Sequence, residues 1–306
     1  MPTALHAVLV LGLAVAFDLT LGDPPNRWHP VAWMGRALGV GRGWLCRGAP
    51  AGLLLGGAAL TLVVMALAAG AGALVSSLAA RVGPLGWVLE AIVLKSTLSI
   101  RGLAMAARSV AEALGRGDLD EARRRLGVHL VSRPTAELDA GQVASGAIES
   151  VAENLTDALV APALFFVVLG LPGALAYRAL NTADTMLGYR EGPLEYFGKV
   201  AARLDDVANL LPSRLAGLAL VVAAGHRRAS AWSVMMRDHA ATASPNAGWT
   251  MSAMAGALDV TLEKPHAYRL GQGRPPRAAD IAPSIWLMVR AAGLALAMLV
   301  AARVAM

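Results

Sequence analysis

The residues of this 306-residue chain that most clearly suggest chemistry form a stripe of carboxylates. Glu149, Glu153 and Asp157 recur every four residues, so on a helix they share one face. Like charges at this spacing repel one another, and the stripe therefore needs a cation opposite it. One candidate is Mg²⁺, which proteins hold with one or two carboxylates plus substrate phosphates. The other is an arginine face drawn from Arg101 to Arg133.

Two further segments combine carboxylates with carboxamides. Asn181 and Asp184 are separated by one helical turn, as are Asp205 and Asn209, so each pair shares a helix face. Asp206 adjoins the second pair, and an arginine lies close to each pair in the sequence. The chain has only 21 acidic residues, so their concentration between residues 149 and 209 favours a functional site over helix caps and surface ion pairs.

The elements that position these residues are predicted to lie in a membrane. Hydrophobic residues make up 56 % of the chain and charged residues only 16 %, with a mean hydropathy of +0.54. These values exclude a disordered chain and an ordinary soluble enzyme. The single cysteine, Cys46, excludes an internal disulfide framework. We predict an all-α protein, a polytopic membrane helical bundle with amphipathic and re-entrant helices, in which residues 1–306 form one integral membrane domain.

Apolar runs with few or no charges mark the predicted membrane segments. They cover residues 7–17, 48–80, 85–94, 158–177, 215–225 and 281–306. The net charge of +6 comes mainly from arginines in the polar connections, which is typical of the positive-inside rule and argues against nucleic-acid binding. An arginine-containing loop at residues 26–47, which has no acidic residue, is predicted to face the cytoplasm. The same is predicted for a more polar helical section at residues 95–153.

The run at residues 158–177 raises a question of topology. If it crossed the membrane once, the acidic stripe and the two carboxamide segments would lie on opposite sides and could not form one site. A Gly170-Leu171-Pro172-Gly173 sequence interrupts its middle, and glycine and proline break helices. We therefore predict a re-entrant hairpin, which returns the chain to its starting side.

Three long motifs follow one another along most of the chain. The opening motif is Asp18-Leu19-Thr20-Leu21-Gly22-Asp23-Pro24-Pro25, followed by His29-Pro30-Val31 and Gly35-Arg36. The central motif runs from Glu149-Ser150-Val151-Ala152-Glu153-Asn154 through Tyr177-Arg178, Asn181-Thr182 and Asp184 to Ala202-Arg203-Leu204-Asp205-Asp206 and Pro212-Ser213-Arg214. The C-terminal motif is Ser244-Pro245-Asn246-Ala247-Gly248. Together these motifs resemble the CobD/CbiB family of cobalamin-biosynthesis proteins, the adenosylcobinamide-phosphate synthases.

The resemblance implies a multi-pass enzyme of the cytoplasmic membrane. It would join (R)-1-aminopropan-2-ol, or its O-phosphate, to a propionate carboxylate of adenosylcobyric acid, giving adenosylcobinamide or its phosphate. A carboxylate is a poor acyl donor, so we expect ATP and Mg²⁺ to activate it, most simply as an acyl phosphate. The implied partners are the corrinoid, the aminopropanol and the lipid bilayer, but not nucleic acid. A homo-oligomer or a complex with later cobalamin enzymes is left open.

The site residues follow from the motifs and are expected to face the cytoplasm. The acidic residues should hold Mg²⁺ or, in one case, deprotonate the attacking ammonium: Glu149, Glu153, Asp157, Asp184, Asp205 and Asp206. The carboxamides should orient substrate: Asn154, Asn181 and Asn209. The basic side chains should contact phosphate: Arg203, Arg214, Arg36 and Lys95. Further substrate-binding residues are expected in the opening and C-terminal motifs: Asp23, His29, Ser244 and Asn246.

Two segments depart from the family pattern. Val131-Ser132-Arg133-Pro134-Thr135 stands where Val-Gly-Arg-Asp-Thr is expected, and Leu262-Glu263-Lys264 replaces Leu-Gly-Gly. Met251 takes the position of a usual glutamate. These departures weaken the case for ligand roles at residues 132–135 and 251.

Two other classes of function remain open on the sequence alone. The chain has no phosphate-binding loop of the G-x-x-x-x-G-K-[ST] type, so the residues that bind nucleotide are not identified. A membrane transporter of a corrinoid or another anionic substrate would also place paired acids at a broken helix. A non-catalytic membrane scaffold for cobalamin enzymes is the third interpretation.

Overall fold

A computed structural model describes residues 4–305 of the chain, and 77 % of the structure is helical. The helices are α1 (Ala4–Leu21), α2 (Pro30–Leu45), α3 (Pro50–Ala79), α4 (Pro84–Lys95), α5 (Ile100–Gly115), α6 (Leu119–His129), α7 (Ala140–Leu155), α8 (Ala161–Leu187), α9 (Leu194–Phe197), α10 (Lys199–Ala208), α11 (Leu210–Ala223), α12 (Arg228–Asp238), α13 (Ala247–Leu258) and α14 (Ala278–Ala305). A π-helical turn, Thr156–Val160, joins α7 to α8. The strands β1 (Leu262–Lys264) and β2 (Tyr268–Leu270) form an antiparallel hairpin.

Four helical segments are long and apolar enough to cross a membrane. They are Ala4–Leu21, Pro50–Ala79, Ala140–Leu187 and Ala278–Ala305, and the bent pair α10 and α11, with an angle of 49° between them, qualifies as a fifth if it forms one span. This confirms the prediction of an all-α, polytopic membrane bundle, and each segment coincides with a predicted apolar run or contains one.

The arginine-containing connection at residues 26–47 contains the helix α2, and its cytoplasmic orientation stays a prediction. Pro30 takes the first helical position of α2, where its missing N–H costs nothing. The His29 side chain then accepts a hydrogen bond from the Val31 amide at 3.2 Å, which caps the helix. The proline at the first helical position and the His29 N-cap together favour the start of a helix at this point.

The described residues divide into two compact units. The first unit comprises residues 4–99, 161–209 and 299–305, and the second comprises residues 100–160 and 210–298. The single membrane domain proposed for residues 1–306 stays a prediction, and residues 1–3 and 306 lie outside the described part of the chain. The cytoplasmic orientation of residues 95–153 also stays a prediction.

In the first unit, α8 doubles back at the predicted break. Gly170 has φ 70° and ψ −165°, a conformation outside the helical region that glycine adopts without steric cost. The rings of Phe165 and Tyr177 stack with their centroids 5.0 Å apart. In a straight helix those residues would be about 18 Å apart, at 1.5 Å per residue. The chain therefore forms the expected hairpin, and which side of the membrane it returns to stays a prediction.

Helix α3 packs closely against this hairpin because it presents glycines at the contacts. A Cβ on Gly72 would lie 2.8 Å from the Pro172 Cα atom, and a Cβ on Gly57 would collide with the Phe197 carbonyl. Only a residue without a side chain permits this approach of two backbones. These contacts hold α3 against the two helices, α8 and α9, that lead to the polar residues of the first unit.

In the second unit, α7 begins at a capping box. The Asp139 side chain accepts from the Gln142 amide at 2.8 Å, and the Gln142 side chain accepts from the Asp139 amide at 3.0 Å. The hairpin of β1 and β2 then packs beside α7, where the Glu263 amide donates to the Ser145 hydroxyl at 2.7 Å. The sequence analysis did not predict this hairpin, and it covers the helix that carries Glu149.

Candidate functional site

A chain of buried hydrogen bonds in the first unit joins α8 to α10. The Tyr177 hydroxyl donates to Asn209 Oδ1 at 2.9 Å, and Asn209 Nδ2 donates to Asp205 Oδ2 at 2.9 Å. Asn181 Nδ2 approaches Asp205 Oδ1 at 3.5 Å, and Arg178 Nη1 donates to Asn181 Oδ1 at 3.0 Å. Asp205 is only 8 % exposed. We call these five residues the Asp205 chain.

The Asp205 chain brings together three of the predicted site residues on two helices. Because burial strongly disfavours an isolated charge, the carboxylate of Asp205 relies on the two carboxamides for hydrogen bonds. Arg178 joins the chain through Asn181, because its Nη1 atom donates to the Asn181 side-chain oxygen. The two neutral carboxamides therefore fix the position of this carboxylate. Such hydrogen bonds hold a metal ligand or a general base in one orientation.

The first unit also contains two further predicted acidic site residues, Asp206 and Asp184. Asp206 follows Asp205 on α10 and is 3.7 Å from the guanidinium of Arg203, whose side chain is 70 % exposed. Asp184 lies on α8 against Gly188, where a Cβ would come within 2.2 Å of its Oδ1 atom. The absence of a side chain at Gly188 therefore leaves the space that the Asp184 carboxylate occupies.

A second group in the first unit surrounds Lys95. Its ammonium contacts the carboxylate of Asp23 and lies 3.8 Å from that of the buried Asp18. His29 Nε2 lies 3.5 Å from Asp23. Burial raises the pKa of Asp23, but hydrogen bonds from His29 and Lys95 outweigh it and lower that pKa to about 2. Asp23 is therefore ionised at neutral pH.

Asp23 and Lys95 line a cavity of about 760 Å³ whose walls are otherwise mostly apolar. Trp28 and Trp33 contribute aromatic surface, and Ser96 adds a polar group beside Lys95. A large apolar cavity with a few convergent polar groups is typical of a ligand site. The predicted phosphate contact Arg36 is exposed on α2 and is not among the residues that line this cavity.

In the second unit, Glu149 is the centre of a different network. Ser145 donates to Glu149 Oε1 at 2.8 Å, the Tyr268 hydroxyl donates to Oε2 at 2.9 Å, and Arg133 Nη2 lies 3.4 Å from Oε2. The Glu149 side chain is only 7 % exposed. Burial, followed by the negative charge of Glu149, raises the pKa of Tyr268, so its hydroxyl stays protonated and donates to the carboxylate.

The three carboxylates of the acidic stripe do not share one regular α-helical face. Helix α7 ends at Leu155, and Asp157 lies in the π-helical turn that follows. Asp157 therefore lies outside the regular α-helix that carries Glu149 and Glu153, and a π-turn changes the angular spacing on which a shared face depends. Asn154, expected to orient substrate, donates to the Ser150 carbonyl at 2.9 Å within α7.

Arg214 and Asn246 also come together in the second unit. Arg214 Nη1 donates to Asn246 Oδ1 at 2.6 Å, and its guanidinium lies 4.8 Å from the centre of the Trp249 ring. Ser244 Oγ accepts from the Asn246 amide at 3.2 Å. Arg214 thus fixes the turn that precedes α13, and its contact with phosphate stays a prediction.

The predicted Mg²⁺ ligands are divided equally between the units. Glu149, Glu153 and Asp157 belong to the second unit, whereas Asp184, Asp205 and Asp206 belong to the first. Within residues 4–305, no three histidine, cysteine or acidic side chains form a cluster that could hold a metal. Mg²⁺ uses one or two carboxylates and completes its octahedron with water and phosphate oxygens. A single buried carboxylate such as that of Asp205 meets that requirement, and Asp206 adjoins it in the sequence.

The fold and these polar clusters define an all-α integral membrane protein with buried carboxylates beside its apolar helices. Residues 11–300 match the family described as CobD/Cbib protein, so the chain belongs to the CobD/CbiB family.

Curated relatives cover most of the chain. It is 42 % identical over 267 residues to a "Probable cobalamin biosynthesis protein CobD" of Methanothermobacter thermautotrophicus, which covers 86 % of each chain. Identity is 39 % over 276 residues to "Cobalamin biosynthesis protein CobD" of Dehalococcoides mccartyi, covering 89 % of each. It is 38 % over 311 residues to "Cobalamin biosynthesis protein CbiB" of Salmonella typhimurium, covering 97 % of each. No solved structure matches the chain.

Sequence reasoning missed several residues that complete these networks. Tyr177 and Arg178 belong to the central motif but were not predicted as site residues. Both lie about one helical turn before Asn181, so they share its side of the helix. Tyr268 contacts Glu149 although the two residues are 119 positions apart in the sequence, and no local sequence pattern predicts that contact. Arg133, by contrast, belongs to the arginine face that the sequence offered as the alternative partner of the acidic stripe, and its guanidinium is 3.4 Å from the Glu149 carboxylate.

Proposed function

We propose that this protein acts in cobalamin biosynthesis as a membrane enzyme that forms an amide bond. The reaction joins (R)-1-aminopropan-2-ol, or its O-phosphate, to a propionate carboxylate of adenosylcobyric acid. Membership of the CobD/CbiB family supports the pathway. The observation that carries the chemistry is the Asp205 chain, in which a buried carboxylate is held in place by neutral carboxamides.

The chemistry requires ATP because a carboxylate does not react with an amine at neutral pH. A propionate oxygen attacks the terminal phosphorus of ATP, ADP leaves, and an acyl phosphate forms. The amine nitrogen then attacks the acyl carbon, the carbon–nitrogen bond forms and inorganic phosphate leaves. The nitrogen loses two protons in all: one passes from the ammonium to a carboxylate of the protein before the attack, and the other leaves with the phosphate as HPO₄²⁻, so atoms and charges balance.

Asp205 and Asp206 are the residues that we assign to Mg²⁺ binding, with the other four predicted carboxylates as further candidates. Mg²⁺ bound there supplies positive charge that offsets the charge on the phosphates. Asn181 and Asn209 act as positioning residues, since each donates a hydrogen bond towards Asp205 and fixes its rotamer. Arg203, exposed and one turn before Asp206, is placed to contact a phosphate that approaches α10.

The reaction is proposed to take place at the cytoplasmic face of the cell membrane. Arginines concentrate in α2 and in the segment that contains α5 and α6, and positively charged connections favour the cytoplasmic side. ATP is available on that side.

A reconstitution experiment separates the enzyme from the two alternatives. Purified protein in detergent is incubated with the corrinoid, the aminopropanol phosphate and Mg-ATP, and the corrinoid is analysed by mass spectrometry. We expect the mass of the amide product and stoichiometric ADP. Protein-dependent flux of unchanged corrinoid into proteoliposomes, without product, would instead establish a transporter. A complementation test in which variants neutralised at all six acids retain full function would establish a scaffold.

A further inference from the structure

The cavity of about 760 Å³ beside Asp23, which we call the Asp23 cavity, has a long apolar wall. Helix α3 supplies this wall as one row of side chains, spaced so that they share a helix face: Val64, Leu67, Ala68, Ala71 and Val75. At 1.5 Å per residue the row is about 16 Å long. A wall of this length and composition suits a hydrocarbon chain.

The Asp23 cavity opens towards the bilayer. Leu21 and Leu67 line it and are 73 % and 68 % exposed, and they belong to α1 and α3, two of the candidate membrane spans. Exposed leucines on a membrane span face lipid. Trp28 and Trp33 also line the cavity, and tryptophans concentrate at membrane interfaces. A ligand from the bilayer therefore has direct access to this cavity.

The charged groups of the cavity lie at the ends of helices. Asp23 follows the last residue of α1 by two positions, and Lys95 is the last residue of α4. The Lys95 ammonium contacts the carboxylate of Asp23 and lies 3.8 Å from that of Asp18. Two carboxyl groups thus surround this one ammonium. This end of the cavity therefore does not match a ligand that carries only negative charge.

Asp23 is the member of this group that a ligand can contact. Its side chain is 36 % exposed, whereas that of Lys95 is 7 % exposed. A cation lies close by in the sequence, since the guanidinium of the exposed Arg27 is 5.9 Å from the centre of the Trp28 ring. The Trp33 indole donates to the Arg27 carbonyl at 2.9 Å and so holds this turn in place. A ligand with one ammonium and one phosphate would complement Asp23 and Arg27 together.

We propose that the Asp23 cavity binds a membrane phospholipid with a zwitterionic headgroup, phosphatidylethanolamine. The lipid ammonium donates to Asp23, the phosphate lies against Arg27, and one acyl chain follows the row of apolar side chains on α3. Phosphatidylglycerol offers the same chains and phosphate but has no ammonium for Asp23. The five residues of the Asp205 chain are not among those that line the cavity, so this inference does not rest on the proposed reaction.

Native mass spectrometry of the detergent-purified protein measures lipid binding without turnover. Delipidated protein is titrated with dioleoyl phosphatidylethanolamine or dioleoyl phosphatidylglycerol, which differ only in the headgroup. We expect one molecule of phosphatidylethanolamine to bind about tenfold more tightly than phosphatidylglycerol, the effect of one charge-assisted hydrogen bond. In Asp23→Asn this preference should disappear, because the carboxamide has no charge to attract the ammonium.

Two substitutions on α3 form a matched pair that locates the acyl chain. Ala71→Phe places a ring in the cavity, whereas Ala66→Phe places the same ring at an exposed position that is not among the lining residues. We expect Ala71→Phe to weaken binding of phosphatidylethanolamine by about tenfold or more, because the ring takes the space of the chain. Ala66→Phe should bind this lipid as the wild type does. If Ala71→Phe fails to fold, the comparison of wild type with Asp23→Asn decides the question.

Three outcomes would overturn the proposal. They are equal affinity of the wild type for the two lipids, an unchanged preference in Asp23→Asn, and equal losses in Ala71→Phe and Ala66→Phe. Displacement of bound phosphatidylethanolamine by adenosylcobyric acid would assign the cavity to the corrinoid and overturn it as well. Amide synthesis by a protein that binds neither lipid would remove the lipid site and leave the proposed function standing.

Discussion

Two buried carboxylates, one in each unit, are held in opposite ways. Asp205 accepts its hydrogen bonds from the neutral carboxamides of Asn181 and Asn209. Glu149 accepts from two hydroxyl groups and lies 3.4 Å from the guanidinium of Arg133. Neutral donors orient a carboxylate and leave its charge to be matched by a bound cation, whereas a guanidinium matches that charge within the protein. The difference suggests that Asp205 serves chemistry, whereas Glu149 holds Arg133 and Tyr268 against α7.

The largest expected effect is on catalysis at Asp205. Asp205→Asn keeps the size of the side chain and removes its charge, so amide formation should fall about a thousandfold, the range for losing a positioned acid–base or metal-binding group. The rate of product formation is measured by mass spectrometry on protein of equal purity and thermal unfolding midpoint. Asp120→Asn, at a side chain that is 93 % exposed on α6, is the control and should retain the wild-type rate.

Asp206→Asn tests whether the neighbouring carboxylate shares that role. If the two residues hold Mg²⁺ together, the variant should need a higher Mg²⁺ concentration for half-maximal activity, about tenfold or more, because one ligand is lost. A Mg²⁺ titration of the initial rate measures this shift. An unchanged Mg²⁺ requirement with full activity would remove Asp206 from the site.

Glu149 should show its effect in stability instead. Glu149→Ala leaves the partly buried Arg133 guanidinium without its carboxylate and removes the acceptor of Ser145 and Tyr268, and breaking a largely buried pair in this way costs about 3 kcal/mol. We expect a lower midpoint of thermal unfolding in detergent, with a smaller loss in Glu149→Gln, which still accepts from Tyr268. If Glu149→Ala unfolds at the wild-type temperature, the contrast between the two carboxylates is wrong.

A matched pair of hydroxyl deletions separates the two networks at a finer level. Tyr177→Phe removes the donor to Asn209, and Tyr268→Phe removes the donor to Glu149. Each deletion should cost about 1 kcal/mol of stability. Only Tyr177→Phe should also lower the turnover number, about fivefold, because Asn209 then positions Asp205 less firmly. Equal turnover numbers in the two variants would contradict the assignment.

The smallest effect concerns the ion pair of Asp23 with Lys95. The pKa of Asp23 is about 2 in the folded protein, against an ordinary value near 4. The ionised form therefore stabilises the fold above about pH 4, and this contribution disappears as the pH falls through about 2. The difference in free energy of unfolding between wild type and Asp23→Asn should be about 1 kcal/mol from pH 5 to 8, which is typical of a half-exposed pair. This difference should shrink below pH 4.

Much of the fold follows from the composition and from the glycine and proline residues that interrupt helices. The uncharged run at residues 48–80 predicted at least one membrane helix, and it forms the single long helix α3. The glycine and proline at residues 170 and 172 predicted a break, and the stacked rings of Phe165 and Tyr177 confirm that the chain turns back there. These features are local, since each depends on residues within a few turns of one another.

The parts that escaped prediction depend on distant contacts. The strands β1 and β2 have three residues each and carry charged side chains, so no periodic pattern marks them. Their hairpin nevertheless brings Tyr268 to Glu149. The π-helical turn at Thr156–Val160 likewise interrupts the regular spacing that suggested a single acidic face. The Asp205 chain was predictable only in part. The motifs that carry its residues are evident in the sequence, but the hydrogen bond between Tyr177 and Asn209 is not.

The central claim, that the propionate is activated by ATP before the amine attacks, is tested most directly by isotope transfer. Corrinoid labelled with ¹⁸O in the propionate carboxylate is incubated with the purified protein, Mg-ATP and the aminopropanol phosphate. The account predicts amide product together with one ¹⁸O atom in the inorganic phosphate released. Label in AMP, or unlabelled phosphate and unchanged corrinoid after ATP has been consumed, would contradict it.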